Sequence, residues 1–87
     1  MIDLSYRAAL TRSFLREFRK LPKGAKNRIT RAVDEIVVSP FLGIELRGEL
    51  EGRRRWRVGK YRIIYMIDEK PRLVVFLDVG LRKAIYE

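Results

Sequence analysis

Ile2, Leu4 and Tyr6 alternate with Asp3, Ser5 and Arg7, which is the two-residue period of a short strand with one buried face. The period then lengthens. Leu10, Phe14, Phe18 and Leu21 recur at spacings of four, four and three, one stripe of a helix, while Arg12, Arg16, Arg19 and Lys20 fall mostly elsewhere. Leu21-Pro22 ends this helix. Pro22 suits the first position of a second one, whose apolar stripe is Ala25, Ile29, Ala32, Val33 and Ile36, up to Val38. Ser39-Pro40 stops it, because the residue before a proline is pushed out of the helical region. So short a connection predicts a helical hairpin.

Residues 41–51, FLGIELRGELE, mix polarity around two glycines and read as a loop with a brief strand near Ile44 to Arg47. In Arg55-Trp56-Arg57-Val58 a cation alternates with an apolar residue; Gly59-Lys60 then makes a tight turn and Tyr61 to Asp68 resumes as the paired strand. A turn at Glu69-Lys70-Pro71 leads into Leu73 to Val79, an apolar run long enough for a central strand covered on both faces. The predicted fold is α+β: an N-terminal strand, a two-helix hairpin and a three-strand antiparallel meander. The helices pack on one face of a four-stranded, mainly antiparallel sheet. The whole chain, 1–87, is one domain, since 87 residues do not support two cores.

Composition narrows the chemistry. There is no cysteine and no histidine, which removes disulfides, thiolate zinc sites, the commonest metal ligand and the side chain best suited to proton transfer near neutral pH. The carboxylates Glu49, Glu51, Asp68 and Asp78 lack the grouping of a magnesium site or an acid/base pair, so their default role is surface pairing with arginine. No metal and no cofactor are expected. No apolar run approaches the roughly 18 residues of a membrane span, and the N-terminus lacks the basic start and apolar centre of a signal peptide, so a cytoplasmic protein with no membrane partner is expected. Twenty basic against eleven acidic side chains give a net charge of +9, which points to a polyanion, nucleic acid first.

The charge is densest in RRRWRVGKYRIIY, Arg53 to Tyr65. If Trp56 and Val58 face the helices, Arg55 and Arg57 leave on the opposite side, and a tight hairpin brings Arg62 beside Arg57 on that same side. Like charges on neighbouring positions repel, which costs stability unless an anion sits among them. The bland reading of these arginines is a solvated sheet face protected against aggregation. Trp56, Tyr61, Tyr65 and Phe76 are assigned to the core rather than to a base-stacking platform. Beyond the last strand, Gly80 lets the chain turn and sets Arg82 and Tyr86 over the sheet's rim, where Tyr86 either packs the tail or stacks on a base.

Leu46-Arg47-Gly48, Arg57-Val58-Gly59-x-Tyr61-Arg62-x-Ile64-Tyr65 and Val79-Gly80-x-Arg82 together resemble the RelE/ParE toxin superfamily, and within it the RelE-type mRNA interferases. The resemblance covers nearly the whole chain. It implies the toxin of a type II toxin-antitoxin system, a metal-independent endoribonuclease that cuts messenger RNA in the ribosomal A site through attack of a 2′-hydroxyl on the adjacent phosphate. By the same resemblance Arg55 and Arg57 hold the phosphate and help activate the nucleophile, and Arg62 stabilises the transition state. Arg82 lies near the leaving 5′-oxygen and Tyr86 stacks on or orients the nucleotide. Arg53, Arg54, Lys60, Arg47 and Lys83 are the expected surrounding RNA contacts. The implied partners are a cognate RelB-like antitoxin, the ribosome and mRNA, with the toxin alone a monomer and the antitoxin complex a hetero-oligomer.

Two other functions share this fold and charge. One is a ParE-type inhibitor of DNA gyrase, which is not an enzyme; the other is a basic RNA-binding module without cleavage activity.

Overall fold

A computed structural model describes residues 5–81. The elements in chain order are β1 (Arg7–Leu10), α1 (Arg12–Arg19), α2 (Lys23–Val38), β2 (Ile44–Glu45), β3 (Arg53–Val58), β4 (Tyr61–Asp68) and β5 (Leu73–Leu81). They form one five-stranded sheet in the order β1-β5-β4-β3-β2, in which β1 runs parallel to β5 and every other pair is antiparallel. The meander of β3, β4 and β5 is as expected; the fifth strand is the two-residue β2, which falls within the brief strand read near Ile44 to Arg47 and is additional to the four strands expected of the sheet. Tight turn geometry closes β3 onto β4, with Val58 paired to Tyr61 and Gly59 at φ 58°, a left-handed conformation that glycine adopts without strain.

The N-terminal strand lies later than its alternation suggested, at Arg7–Leu10 rather than Ile2 to Tyr6, because pairing with β5 places Arg7 opposite Leu73 and Leu10 opposite Phe76. The predicted residues Ile2 and Leu4 fall outside the described ones. Leu10 therefore belongs to a strand, is 44% exposed, and is not the first residue of the helical stripe. Helix α1 begins at Arg12 because Thr11 caps it: the hydroxyl accepts from the Phe14 backbone N–H at 3.1 Å. The same hydroxyl lies 3.0 Å from the carbonyls of Phe76 and Leu77, tying the helix start to β5. Pro22 is the cap of α2 rather than its first residue, with an extended ψ of 155°.

Both helices cover one face of the sheet. Phe14 of α1 and Ala25, Ile29, Ala32 and Ile36 of α2 pack with Tyr61, Ile63 and Tyr65 of β4 and Val74, Phe76 and Val79 of β5. Trp56 and Val58 border this cluster, so the four aromatic positions assigned to the core are there. β5 is interior but not the strand covered on both sides. Its buried residues alternate with partly exposed ones, and a bulge opposite Ile64/Tyr65 shifts that alternation at Leu77 and Asp78. The strand covered on both sides is β4, buried without interruption from Tyr61 to Tyr65.

A polar clamp fixes the segment between α2 and β3. The Tyr65 hydroxyl, buried under that segment, donates to the Pro40 carbonyl at 2.7 Å and accepts from the Gly43 N–H at 3.1 Å. The Arg54 guanidinium donates to the carbonyls of Phe41 and Gly43 at 3.0 and 2.8 Å and to Glu45 at 2.8 Å. A methyl group on Gly43 would collide with the Tyr65 hydroxyl and ring, so glycine here is a packing requirement. Tyr65→Phe leaves a buried donor and a buried acceptor unsatisfied, and is expected to cost about 1 to 3 kcal/mol, read from urea unfolding. Burial also raises the Tyr65 pKa above its ordinary value of 10.0. The unfolded tyrosine then ionises first, so this contribution is intact below pH 10.0 and is lost as pH rises beyond it, a loss that Tyr65→Phe should lack.

Candidate nucleic-acid-binding face

The side of the sheet away from the helices is built by β3 and β4. Because strand side chains alternate and Trp56 and Val58 turn toward the helices, Arg53, Arg55 and Arg57 leave on the open side. On β4, Tyr61, Ile63 and Tyr65 belong to the helix-side cluster, which leaves Arg62, Ile64 and Met66 to the open side. The register makes rungs of these: Arg53 opposite Met66, Arg55 opposite Ile64, and Arg57 directly opposite Arg62. β5 completes two of the rungs, with Gly80 opposite Arg62 and Asp78 opposite Ile64. The predicted meeting of Arg55, Arg57 and Arg62 is thus met by the pairing.

Although Arg62 belongs to the open side, its side chain is not exposed. It is only 5% exposed, and its neighbour Ile64 is fully buried although it faces away from the helix-side cluster. The floor of the face is therefore an apolar side chain flanked by guanidinium groups, a setting in which charge acts through a lower effective dielectric than at an open surface. Arg57 stands exposed above it. Arg55 is half-buried, and its Nε is a buried donor with no hydrogen-bond acceptor among the described residues. Such a donor is costly unless an oxygen meets it, and an anionic oxygen meets it best. Gly80 does not turn the chain here but continues β5, contributing no side chain to the rung that holds Arg57 and Arg62. A glycine within a strand commonly marks close approach of another group.

The expected outer contacts separate. Arg53 joins the open face by alternation, Arg47 is exposed in the loop before β3, and Lys60 is exposed at the β3–β4 turn with its ammonium 5.8 Å from the Tyr61 ring centre. Arg54 is excluded from the set, since it points to the helix side with Trp56 and is held by Glu45 and the loop carbonyls. Arg82, Lys83 and Tyr86 lie outside the described residues. Asp78 and Asp68 also depart from simple arginine pairing: Asp78 accepts from the Ser13 hydroxyl at 2.6 Å and Asp68 from the Lys70 backbone N–H at 3.1 Å. Among the described residues no three His, Cys, Asp or Glu side chains gather as a metal site, and no helix is long and apolar enough to cross a membrane. The Tyr65–Arg54–Gly43 clamp was missed because its members are far apart in sequence; the local signal was Gly43 three residues after Pro40.

A family model described as the ParE toxin of type II toxin-antitoxin systems matches residues 8–86. The chain belongs to this toxin family. Two relatives from Mycobacterium tuberculosis agree. Toxin RelE is 33% identical over 90 residues, covering 97% of this chain and 89% of the relative. Toxin RelG is 35% identical over 89 residues, covering 95% and 98%. Among solved structures, a chain of the M. tuberculosis toxin-antitoxin complex RelBE2 superposes with TM-score 0.83 at 31% identity, covering 90% of this chain and 99% of that one. The isolated Escherichia coli RelE toxin shares the fold with TM-score 0.78 at 22% identity, over 88% and 84% of the two chains. This toxin is thus α+β and RelE-like in architecture.

Direct cross-strand juxtaposition of Arg57 and Arg62 costs stability through repulsion that an anion relieves. Inorganic phosphate is therefore expected to raise the thermal midpoint of this toxin more than chloride at equal ionic strength. In Arg57→Gln the difference should shrink by at least half, as read by scanning calorimetry.

Proposed function

We propose that this toxin is a ribosome-dependent endoribonuclease that cleaves mRNA in the ribosomal A site. The observation that carries the reading is the open-face cluster, in which Arg57 and Arg62 oppose each other one rung from Arg55 over a buried apolar floor. The similarity to toxins named RelE and RelG supports it. Phosphoryl transfer needs alignment and charge stabilisation more than covalent participation by the protein, and guanidinium forks match the equatorial oxygens of a phosphorane. In the proposed reaction the 2′-hydroxyl loses its proton and attacks the adjacent phosphorus, the bond to the 5′-oxygen breaks, and that oxygen takes up a proton. The products are a 2′,3′-cyclic phosphate and a free 5′-hydroxyl.

Arg55 and Arg57 hold the phosphate, and Arg62 stabilises the charge that builds up in the transition state. Arg82 serves the leaving oxygen and Tyr86 the nucleotide's orientation. A guanidinium group supplies charge and hydrogen-bond donors rather than a base, so the arginines act by stabilising the phosphate. Arg53, Arg47, Lys60 and Lys83 guide the flanking strand. In the cell the toxin is held by a RelB-like antitoxin, as relatives solved in RelB–RelE complexes are, through a segment that orders on contact.

Arg62→Ala is a poor test because removing a buried side chain also disturbs folding. Arg55→Gln with Arg57→Gln is the better variant. In vitro translation followed by primer-extension mapping should show A-site cleavage by the wild type, and a drop of about 100-fold or more in the double variant, whose thermal midpoint should be no lower than wild type because like-charge repulsion is relieved. The second reading follows from the matched family model, which carries the ParE name. Gyrase-dependent DNA breaks without message cleavage would establish it and end the nuclease proposal.

A further inference from the structure

The cluster on the open face does not account for most of the net charge. Residues 12–31 hold eight lysines and arginines and a single acid, Glu17, a net of +7; the rest of the chain, with twelve basic and ten acidic side chains, carries only +2. This excess sits on α1 and the first half of α2, ahead of the exposed acids Asp34 and Glu35, on the opposite side of the sheet from Arg55 and Arg57. Arg12, Arg16 and Arg19 recur at i, i+4 and i+7 along α1, opposite the buried Phe14, and all three are exposed. Lys23 and Arg31, also exposed, repeat the arrangement at i and i+8 on α2, opposite Ala25 and Ile29. Glu17 meets Lys20 at 3.2 Å and Arg16 at 3.5 Å, so the segment's one acid is already shared.

What this surface lacks identifies its partner. The large apolar side chains exposed among the described residues are Leu10, Val38, Phe41, Leu42, Ile44, Met66 and Leu81, none of them within residues 12–31. A protein interface is centred on apolar or aromatic anchors, and a membrane-surface helix presents an apolar face; neither is present here. Single-stranded nucleic acid is held by aromatic stacking, and Phe14 is buried while Phe18 packs against the core. What remains is a row of cations, arginines most of all, spaced about 6 and 10 Å from Arg12 along the helix axis. That suits a phosphate backbone whose bases are paired out of reach.

We infer that the outer face of the helical hairpin, through Arg12, Arg16, Arg19, Lys23 and Arg31, docks the phosphate backbone of base-paired RNA, while the open sheet face stays available for a separate single strand. The choice of RNA over DNA rests on the nuclease reading; the backbone mode of binding does not. It follows that the toxin can hold a paired and an unpaired segment at once, on opposite sides of one sheet.

The test uses the full chain, an RNA hairpin of about 16 base pairs, a DNA duplex of matching sequence, and poly-glutamate, each over a salt series. Arg12→Gln/Arg16→Gln/Arg19→Gln keeps good helix formers at exposed sites, and its thermal midpoint should stay near wild type. Its affinity for the RNA hairpin should fall at least tenfold, whatever the hairpin's sequence. The log–log salt slope should become shallower by about 2 to 3, near one unit per lost phosphate contact. Arg55→Gln/Arg57→Gln should leave hairpin binding within twofold of wild type, whether or not cleavage occurs. Unchanged affinity and slope in the triple variant would overturn the inference. So would hairpin binding lost in the sheet-face variant, tighter binding of duplex DNA than of duplex RNA, or equal competition by poly-glutamate.

Discussion

Like charge held at close range is the constraint around which this molecule is arranged. Arg57 and Arg62 are cross-strand partners in a hairpin whose turn leaves no freedom of register, since Val58 and Tyr61 close it around Gly59 and Lys60. A slip by one residue would send Trp56 and Val58 into solvent and the arginines into the helix-side core, at a cost far above that of their mutual repulsion. Apolar burial on one face of β3 and β4 therefore fixes an electrostatic cluster on the other. The site and the core are two faces of one ladder.

Around that ladder, polar groups are divided by role. Arg54, one residue from Arg53 and Arg55, turns the other way and locks the segment after α2 together with Tyr65, while its neighbours remain on the open side. Alternation alone separates a structural arginine from the open-face arginines within one RRR triplet. The open face also gains from what it omits. β5 offers Gly80 beside Arg62 and so adds no side chain to that rung, and Ile64 forms a buried apolar floor next to the guanidinium groups. The helices carry the remaining cationic excess, and the sheet between them and the arginine cluster keeps the two basic surfaces apart.

Where local pattern decided structure, the sequence was a sound guide. The alternation of Arg55 to Val58, the Gly59-Lys60 turn and the stripe from Ala25 to Ile36 all depend on neighbours within a few positions, and each stands as read. Features set by distant partners were not legible. Leu10 continues the helical spacing of Phe14 and Phe18 perfectly well, yet pairing with Phe76 makes it a strand residue. The burial of Arg62 and Ile64 goes with the interior place of β4 between β3 and β5, and the bulge in β5 with its match to β4. The family resemblance carried by Arg57 to Tyr65 supplied roles for the arginines that no periodicity contains.

The central claim is that Arg55, Arg57 and Arg62 receive one RNA phosphate together. The most direct measurement is NMR of the arginine Nε–Hε groups during titration with a short RNA strand made uncleavable by 2′-deoxy substitution at the scissile position. The account predicts that these three signals move with a single midpoint and that the midpoint shifts to higher strand concentration as salt is raised. If the three signals stay fixed while arginines elsewhere respond, the strand binds another surface and the account is wrong.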